Sequence, residues 1–368
     1  MQNLVTRIYW WLVNFVKYQT IKLRKKAHMN KQRIIRILVV VLLLAGWRLF
    51  FYQNEKAKNL IHLTGTTMGP IPYSIKYLDD ENRNFQLQVD SILKAFNNAL
   101  STYIPSSEIS QFNQTDSVTY ATPFFYPVLV ASQQVYKTTN GAFDPTVGPL
   151  VNAWGFGPEK KTEMDSATVD SLLSIVGFEQ IVFDENKAVK PTGMYLDFSA
   201  IAKGNGIDVV ANFLADQDIE NYMVEIGGEV ACRGISDNGS AWRIGIQKPT
   251  MRGEPELFAK ASITNRAVAT SGNYRNYYEQ DGKIISHTIN PFTGYPATHN
   301  LLSASIFSKN CTLADGYATA CMVMGFEDSK KLVEENPDLD GFFIYSDENG
   351  KLQSWISEGI SKFIEIED

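Results

Sequence analysis

Cysteine and histidine are scarce in this 368-residue chain, with three of the first and four of the second. Cys232, Cys311 and Cys321 form no C-x-x-C pair. Cys311 and Cys321 stand on one helical segment, about 15 Å apart at the helical rise, which is too far to bridge. All three read as small buried hydrophobes rather than as a disulfide framework. His28 and His62 precede the main body, and His299 lies in a loop, so a histidine-ligated metal site is excluded. No H-E-x-x-H pattern, nucleophile elbow, internal repeat or low-complexity segment occurs.

Acid is absent from the start of the chain. Residues 1–51 hold ten of the 34 Lys and Arg and no Asp or Glu, leaving 24 basic against 40 acidic residues in the rest. An acidic body has no basic groove for phosphate backbones, so nucleic acid is excluded as a partner. The same balance suits a domain that handles a bound cation.

A long apolar run is lacking too. Within Ile34–Tyr52 the uninterrupted stretch is Ile37–Trp47, eleven residues flanked by Arg36 and Arg48. That is short of a full span, although both arginines can snorkel to the interfaces. Two readings stand. One is a membrane anchor over 34–52 with a basic, aromatic head at 1–33 held in the cytoplasm, where Leu4–Ile21 lies along the membrane. The other is a secretory signal whose true start is Met29. In both, the body is exported to a periplasm-type compartment. Residues 53–62 read as a linker and 63–368 as the functional domain.

Along that domain, apolar spacing predicts helices at Glu81–Tyr103 and Pro123–Asn140, and a short helix from the Asp165/Ser166 cap to Gly177. A hairpin follows at Gln180–Lys190, then a strand at Met194–Phe198 and a helix at Gly204–Asp216. Strands are predicted at Tyr222–Ile226, Glu229–Gly234, Trp242–Gln247 and Leu257–Ala269. A hairpin at Arg275–Ile289, a strand at Leu301–Phe307 and a helix at Thr312–Met324 complete the set. Hairpin-spaced strands interrupted by helices indicate α+β, mostly antiparallel.

Three segments carry chemistry. Asp197–Asp208 (DFSAIAKGNGID) opens a helix through glycines, and its N-terminus with Lys203 suits an anionic diphosphate. Without context it also reads as an ordinary strand-to-helix turn. Asp315 and Thr319, four residues apart on one helix face, offer hard oxygen ligands suited to Mg²⁺. Asp315 has a simpler reading as a helix-dipole residue. His287 lies within the turn-rich stretch Thr270–Pro296, as a proton acceptor or a structural histidine.

Taken in order, TTMG (66–69), GAFDPTVGPLVNAWGFG (141–157), DFSAIAKGNGID (197–208), EIGGEVACRG (225–234), TSGNYR…SHTINPFTGYP (270–296) and ADGYATA (314–320) resemble the ApbE family of FAD:protein FMN transferases. The resemblance spans roughly 63–368. It implies a two-lobed fold with FAD in the cleft between lobes and Mg²⁺ at the diphosphate. It implies transfer of FMN from FAD to a Ser/Thr hydroxyl of a target protein, with AMP released. By the same resemblance, Asp315, Thr319 and the Ala200 carbonyl hold the metal. Met68, Tyr103, Ala142, Phe143, Asp144, Asp197, Lys203 and Ile289 contact FAD, and His287 takes the acceptor's proton. The implied acceptor is a subunit of an Rnf-type or sodium-pumping NADH:quinone oxidoreductase complex. Two departures stand out: Pro70 replaces a Thr common after Met-Gly, and Asn290 replaces the usual Asp before Pro. The alternatives are an FAD diphosphatase, with water as acceptor, or a non-catalytic FAD-binding protein.

Overall fold

The computed structural model describes residues 59–158, 161–250, 256–273, 277–280 and 283–367, with isolated positions 14, 17, 36 and 38–42. Contacts divide the chain into two units, Met1–Ala57 and Lys58–Asp368. The expected head and anchor lie outside the described residues save for those isolated positions. Among the described residues no helix is long and apolar enough to cross a membrane.

The second unit runs β1 (Asn59–Thr67), β2 (Ile71–Asp79), α1 (Gln86–Leu100), α2 (Glu108–Gln114), β3 (Ser117–Thr119), α3 (Phe125–Thr138), α4 (Gly148–Ala153) and α5 (Ser166–Leu173). It continues β4 (Val182–Phe183), β5 (Lys187–Val189), α6 (Ala202–Asp216), β6 (Tyr222–Ile226), β7 (Glu229–Arg233), β8 (Trp242–Gln247), β9 (Leu257–Ile263) and β10 (Arg266–Gly272). The remainder is β11 (Tyr277–Gln280), β12 (Lys283–Ser286), β13 (Leu301–Ser308), α7 (Cys311–Met324), α8 (Phe326–Glu335), β14 (Asp340–Ser346), β15 (Leu352–Ile356) and β16 (Ile364–Ile366).

Eight strands form one sheet in the order β1-β2-β6-β7-β10-β13-β14-β15, every neighbouring pair antiparallel. Successive side chains of a strand point to opposite faces, so a central strand of this sheet can serve two cores. In β10, Ala267 and Ala269 face the helices, whereas Val268 between them faces a small sheet of order β16-β9-β8. The α+β class with antiparallel sheets and flanking helices is therefore as expected.

Buried on almost every side, α7 lies against β10 and β13 and contacts α3, α6 and α8. Such a helix is apolar all round and needs small residues where neighbours come close. Gly204 of α6 is that point: a Cβ there would stand 2.2 Å from the Cys311 carbonyl oxygen and 2.8 Å from the Asp315 Cβ. Gly204→Ala is expected to cost on the order of 1–3 kcal/mol of stability in denaturant titration, because backbone rather than a flexible side chain must yield. Unchanged stability would show that the two helices separate freely.

Several predicted elements differ. The run Leu257–Ala269 is two strands in different sheets, broken at Thr264–Asn265, where Asn265 has φ 51° and its side chain accepts from the Gly234 amide at 3.0 Å. Asparagine is one of the few side chains at ease with positive φ. Met194–Phe198 is not a strand. Its Leu196 backbone pairs instead with the Asn113 side-chain amide, donor and acceptor both at 2.8 Å, which satisfies the same groups without a neighbouring strand. The first helix starts only at Gln86, since Asp79 binds the Arg83 backbone amide and guanidinium and turns the chain there. β1 begins at Asn59, inside the segment read as a linker, and β1, β2, β14 and β15 have no counterpart in the sequence reading.

Candidate active site

α6 and α7 run antiparallel, and each supplies a carboxylate to the other's N-terminus. Asp208 of α6 accepts from the Cys311 and Thr312 amides at 2.9 and 2.8 Å. Asp315 of α7 accepts from the Gly204 amide at 2.9 Å. The first amides of a helix lack partners within it and carry partial positive charge, so both contacts are favourable. α6 has no side-chain cap of its own, and Asp315 takes that place. The dipole reading of Asp315 is thus realised, but at the N-terminus of the neighbouring helix.

Beside that junction, Lys203 Nζ lies 3.5 Å from Asp315 Oδ1 and 3.1 Å from Glu229 Oε1. Burial alone would lower the lysine pKa, but the Asp315 and Glu229 carboxylates outweigh it and hold the ammonium above its ordinary value. Burial raises the Asp315 pKa, opposed by Lys203 and the Gly204 amide. Burial pushes Glu229 up to about 7, again against the pull of Lys203. Glu229 Oε2 is buried with no hydrogen-bond partner. Glu229 lies within EIGGEVACRG, where the sequence alone gives it no role. Its position follows from the two-residue turn Gly227–Gly228 joining β6 to β7, where φ is 61° and 102°, a hairpin geometry glycine favours. Glu229 then opens β7 facing the α6 N-terminus.

One turn beyond Asp315 the Thr319 hydroxyl stands 3.4 Å from the Ala200 carbonyl oxygen and 3.4 Å from the Ser271 hydroxyl of β10. Both separations exceed an ordinary O–H···O bond, so these oxygens face one another without holding one another tightly. The Ala200 carbonyl and the Ser271 and Thr319 hydroxyls, with the Asp315 carboxylate one turn earlier on α7, are hard oxygens of the type that suits Mg²⁺. Among the described residues no group of three or more His, Cys, Asp or Glu could hold a metal, so a zinc-type site is not offered.

The remaining expected residues fall into two further groups. Met68 (φ 48°) lies in the β1–β2 turn with its Sδ-methyl end against Gly206, one turn along α6 from Lys203's end. Asp197 binds the Ser199 amide and hydroxyl, and its own amide donates to the Pro145 carbonyl at 2.8 Å. Burial raises its pKa. Tyr103 is largely exposed, and its phenol pKa is raised by partial burial and then by the Asp197 charge. Ala142, Phe143 and Asp144 are buried. Both Asp144 oxygens are engaged locally, one by the Thr146 amide and hydroxyl and the other by the Phe178 amide, so this side chain shapes the 141–148 segment.

His287 follows β12, half-buried, its ring edge-on to Phe156 at 6.3 Å. Phe156 stacks on Tyr278 at 5.3 Å, and Tyr278 donates to the Trp154 carbonyl at 3.2 Å. Ile289 is buried and bridges to Pro296. The Asn290 side-chain oxygen accepts from the Phe292 and Thr293 amides, at 2.8 and 3.2 Å. An Asp would make the same two bonds, so this departure preserves the turn. Tyr274 and Arg275, part of the quoted motif, lie outside the described residues.

The ApbE family model matches residues 68–343. A FAD:protein FMN transferase from Vibrio cholerae is 41% identical over 310 residues, 81% of this chain and 90% of that protein. One from Haemophilus influenzae is 39% identical over 314 residues, 80% and 89% of the two chains. The solved flavin transferase ApbE of V. cholerae superposes with a TM-score of 0.75 at 38% identity, covering 83% of this chain and 99% of that one.

Proposed function

The chain belongs to the ApbE family, and we propose from that membership and its own geometry how it moves FMN from FAD onto a protein. The observation that carries the reading is the convergence of Lys203, Asp315, Thr319 and the Ala200 carbonyl at the N-terminus of α6. Phosphoryl transfer needs a positioned diphosphate, neutralised charge and an activated in-line hydroxyl. The α6 N-terminus and Lys203 provide the first. Mg²⁺, held by the Ala200 carbonyl, Asp315 and Thr319, would supply the second by spreading diphosphate charge.

His287 supplies the third. A Ser or Thr hydroxyl is a weak nucleophile near neutrality and needs a base beside it. As the imidazole takes the hydroxyl proton, the oxygen forms a bond to the FMN phosphorus. The bond from that phosphorus to the bridging oxygen breaks, and AMP leaves with that oxygen. Met68 borders the isoalloxazine, a role its polarizable thioether suits. Tyr103, Asp197, Ile289 and the segment of Ala142, Phe143 and Asp144 shape the remaining walls of an FAD cleft.

The basic head and flanked apolar run support an anchor at the inner membrane with the catalytic domain on the periplasmic side. The acceptor is then an exported Ser/Thr-bearing subunit, of the Rnf or sodium-pumping quinone oxidoreductase class. The test is coupling: AMP release from FAD and Mg²⁺ should depend on the acceptor protein. Equal AMP release without acceptor would make the chain an FAD diphosphatase.

A further inference from the structure

We propose that Glu229 is a positioning residue that draws Lys203 away from Asp315 when a divalent cation binds there. The inference rests on the metal assignment above and concerns a conflict that assignment creates. Lys203 and a cation would compete for one carboxylate: Asp315 Oδ2 is taken by the Gly204 amide, and Oδ1 faces Lys203 Nζ at 3.5 Å. An ammonium left in that position would repel the cation and hold its ligand.

Glu229 resolves this. Its Oε1 already lies nearer to Lys203 than Asp315 does, 3.1 Å against 3.5 Å. Its Oε2 is buried and unpartnered, an acceptor available to the same ammonium. Buried polar groups are nearly always paired, so an orphan oxygen beside a lysine calls for an account. The β6–β7 turn adjoins both groups: a Cβ on Gly227 would lie 3.7 Å from Glu229 Oε2 and 3.7 Å from Lys203 Cδ. A short movement of the lysine onto Glu229 leaves Asp315 Oδ1 to the metal and keeps the lysine charge compensated. Lys203 then stays at the α6 N-terminus, where it would meet a bound diphosphate. The paired arrangement also explains why two buried carboxylates share one cation in the described structure.

The test is binding of Mn²⁺ alone to the full chain, read by electron paramagnetic resonance, in native, E229Q, K203M and double-variant forms. E229Q should raise the Mn²⁺ dissociation constant on the order of tenfold, since Lys203 then falls back on Asp315. In the K203M background E229Q should have no effect, because the competitor is gone. Equal weakening in both backgrounds would reduce Glu229 to a distant charge and overturn this inference while leaving the metal site intact. No Mn²⁺ binding by the native chain would overturn the metal assignment itself. Should E229Q fail to fold, K203M alone decides: Mn²⁺ binding at least as tight as native supports competition, and weaker binding contradicts it.

Discussion

His287→Ala is expected to lower kcat for FMN transfer by about 10²–10⁴-fold, the range that a positioned general base contributes. FAD binding should be unchanged, because the role proposed for His287 is at the acceptor hydroxyl and not at the diphosphate. The substitution is also local. The ring packs edge-on to Phe156, which is separately stacked on Tyr278, and Tyr278 is tied to the Trp154 carbonyl. This aromatic shelf is expected to persist when the imidazole is removed. Single-turnover AMP release together with flavin fluorescence titration separates the two quantities. An unchanged single-turnover rate would remove His287 from the role of base, and a loss of FAD affinity matching the loss of rate would make it a binding residue.

Asp315→Asn is expected to reduce transfer about 100-fold and to raise the Mg²⁺ concentration needed for half-maximal rate, since the carboxylate is the one charged member of the proposed donor set. Asparagine keeps an acceptor for the Gly204 amide, which lies 2.9 Å from the native carboxylate, so the α6–α7 junction should survive. Asp315→Ala differs in a telling way. It leaves the Gly204 amide buried without its partner and should destabilise the fold by a further 1–3 kcal/mol or so. Thermal unfolding of the two variants beside their Mg²⁺ titrations distinguishes metal loss from junction loss. Wild-type Mg²⁺ dependence in a stable Asp315→Asn protein would exclude Asp315 as a ligand.

The parts of this site that could be read from sequence are those whose geometry is local. Asp315 and Thr319 share a helix face by spacing alone, and the glycines of 197–208 mark a helix N-terminus. Glu229 could not be read in the same way. Its significance depends on a lysine from a different element, brought beside it by the β6–β7 turn and the packing of α6 on the sheet. The reciprocal capping by Asp208 and Asp315 is likewise a tertiary fact, since each acid acts on the helix it does not belong to. In the fold, Leu257–Ala269 reads as one strand because both halves are equally β-prone; the positive φ at Asn265 is what divides it between two sheets. Met194–Phe198 has strand composition but meets a side-chain amide where a strand would meet backbone. Asn290 posed the opposite problem. It departs from the usual Asp, yet its side-chain oxygen faces the Phe292 and Thr293 amides, which either residue can accept from.

The most direct test of transfer to a protein hydroxyl is the intact mass of a candidate acceptor after incubation with this chain, FAD and Mg²⁺. The account predicts a gain of one FMN on a single Ser or Thr, abolished when that residue is replaced by Ala. An acceptor of unchanged mass accompanied by free FMN and AMP would contradict it.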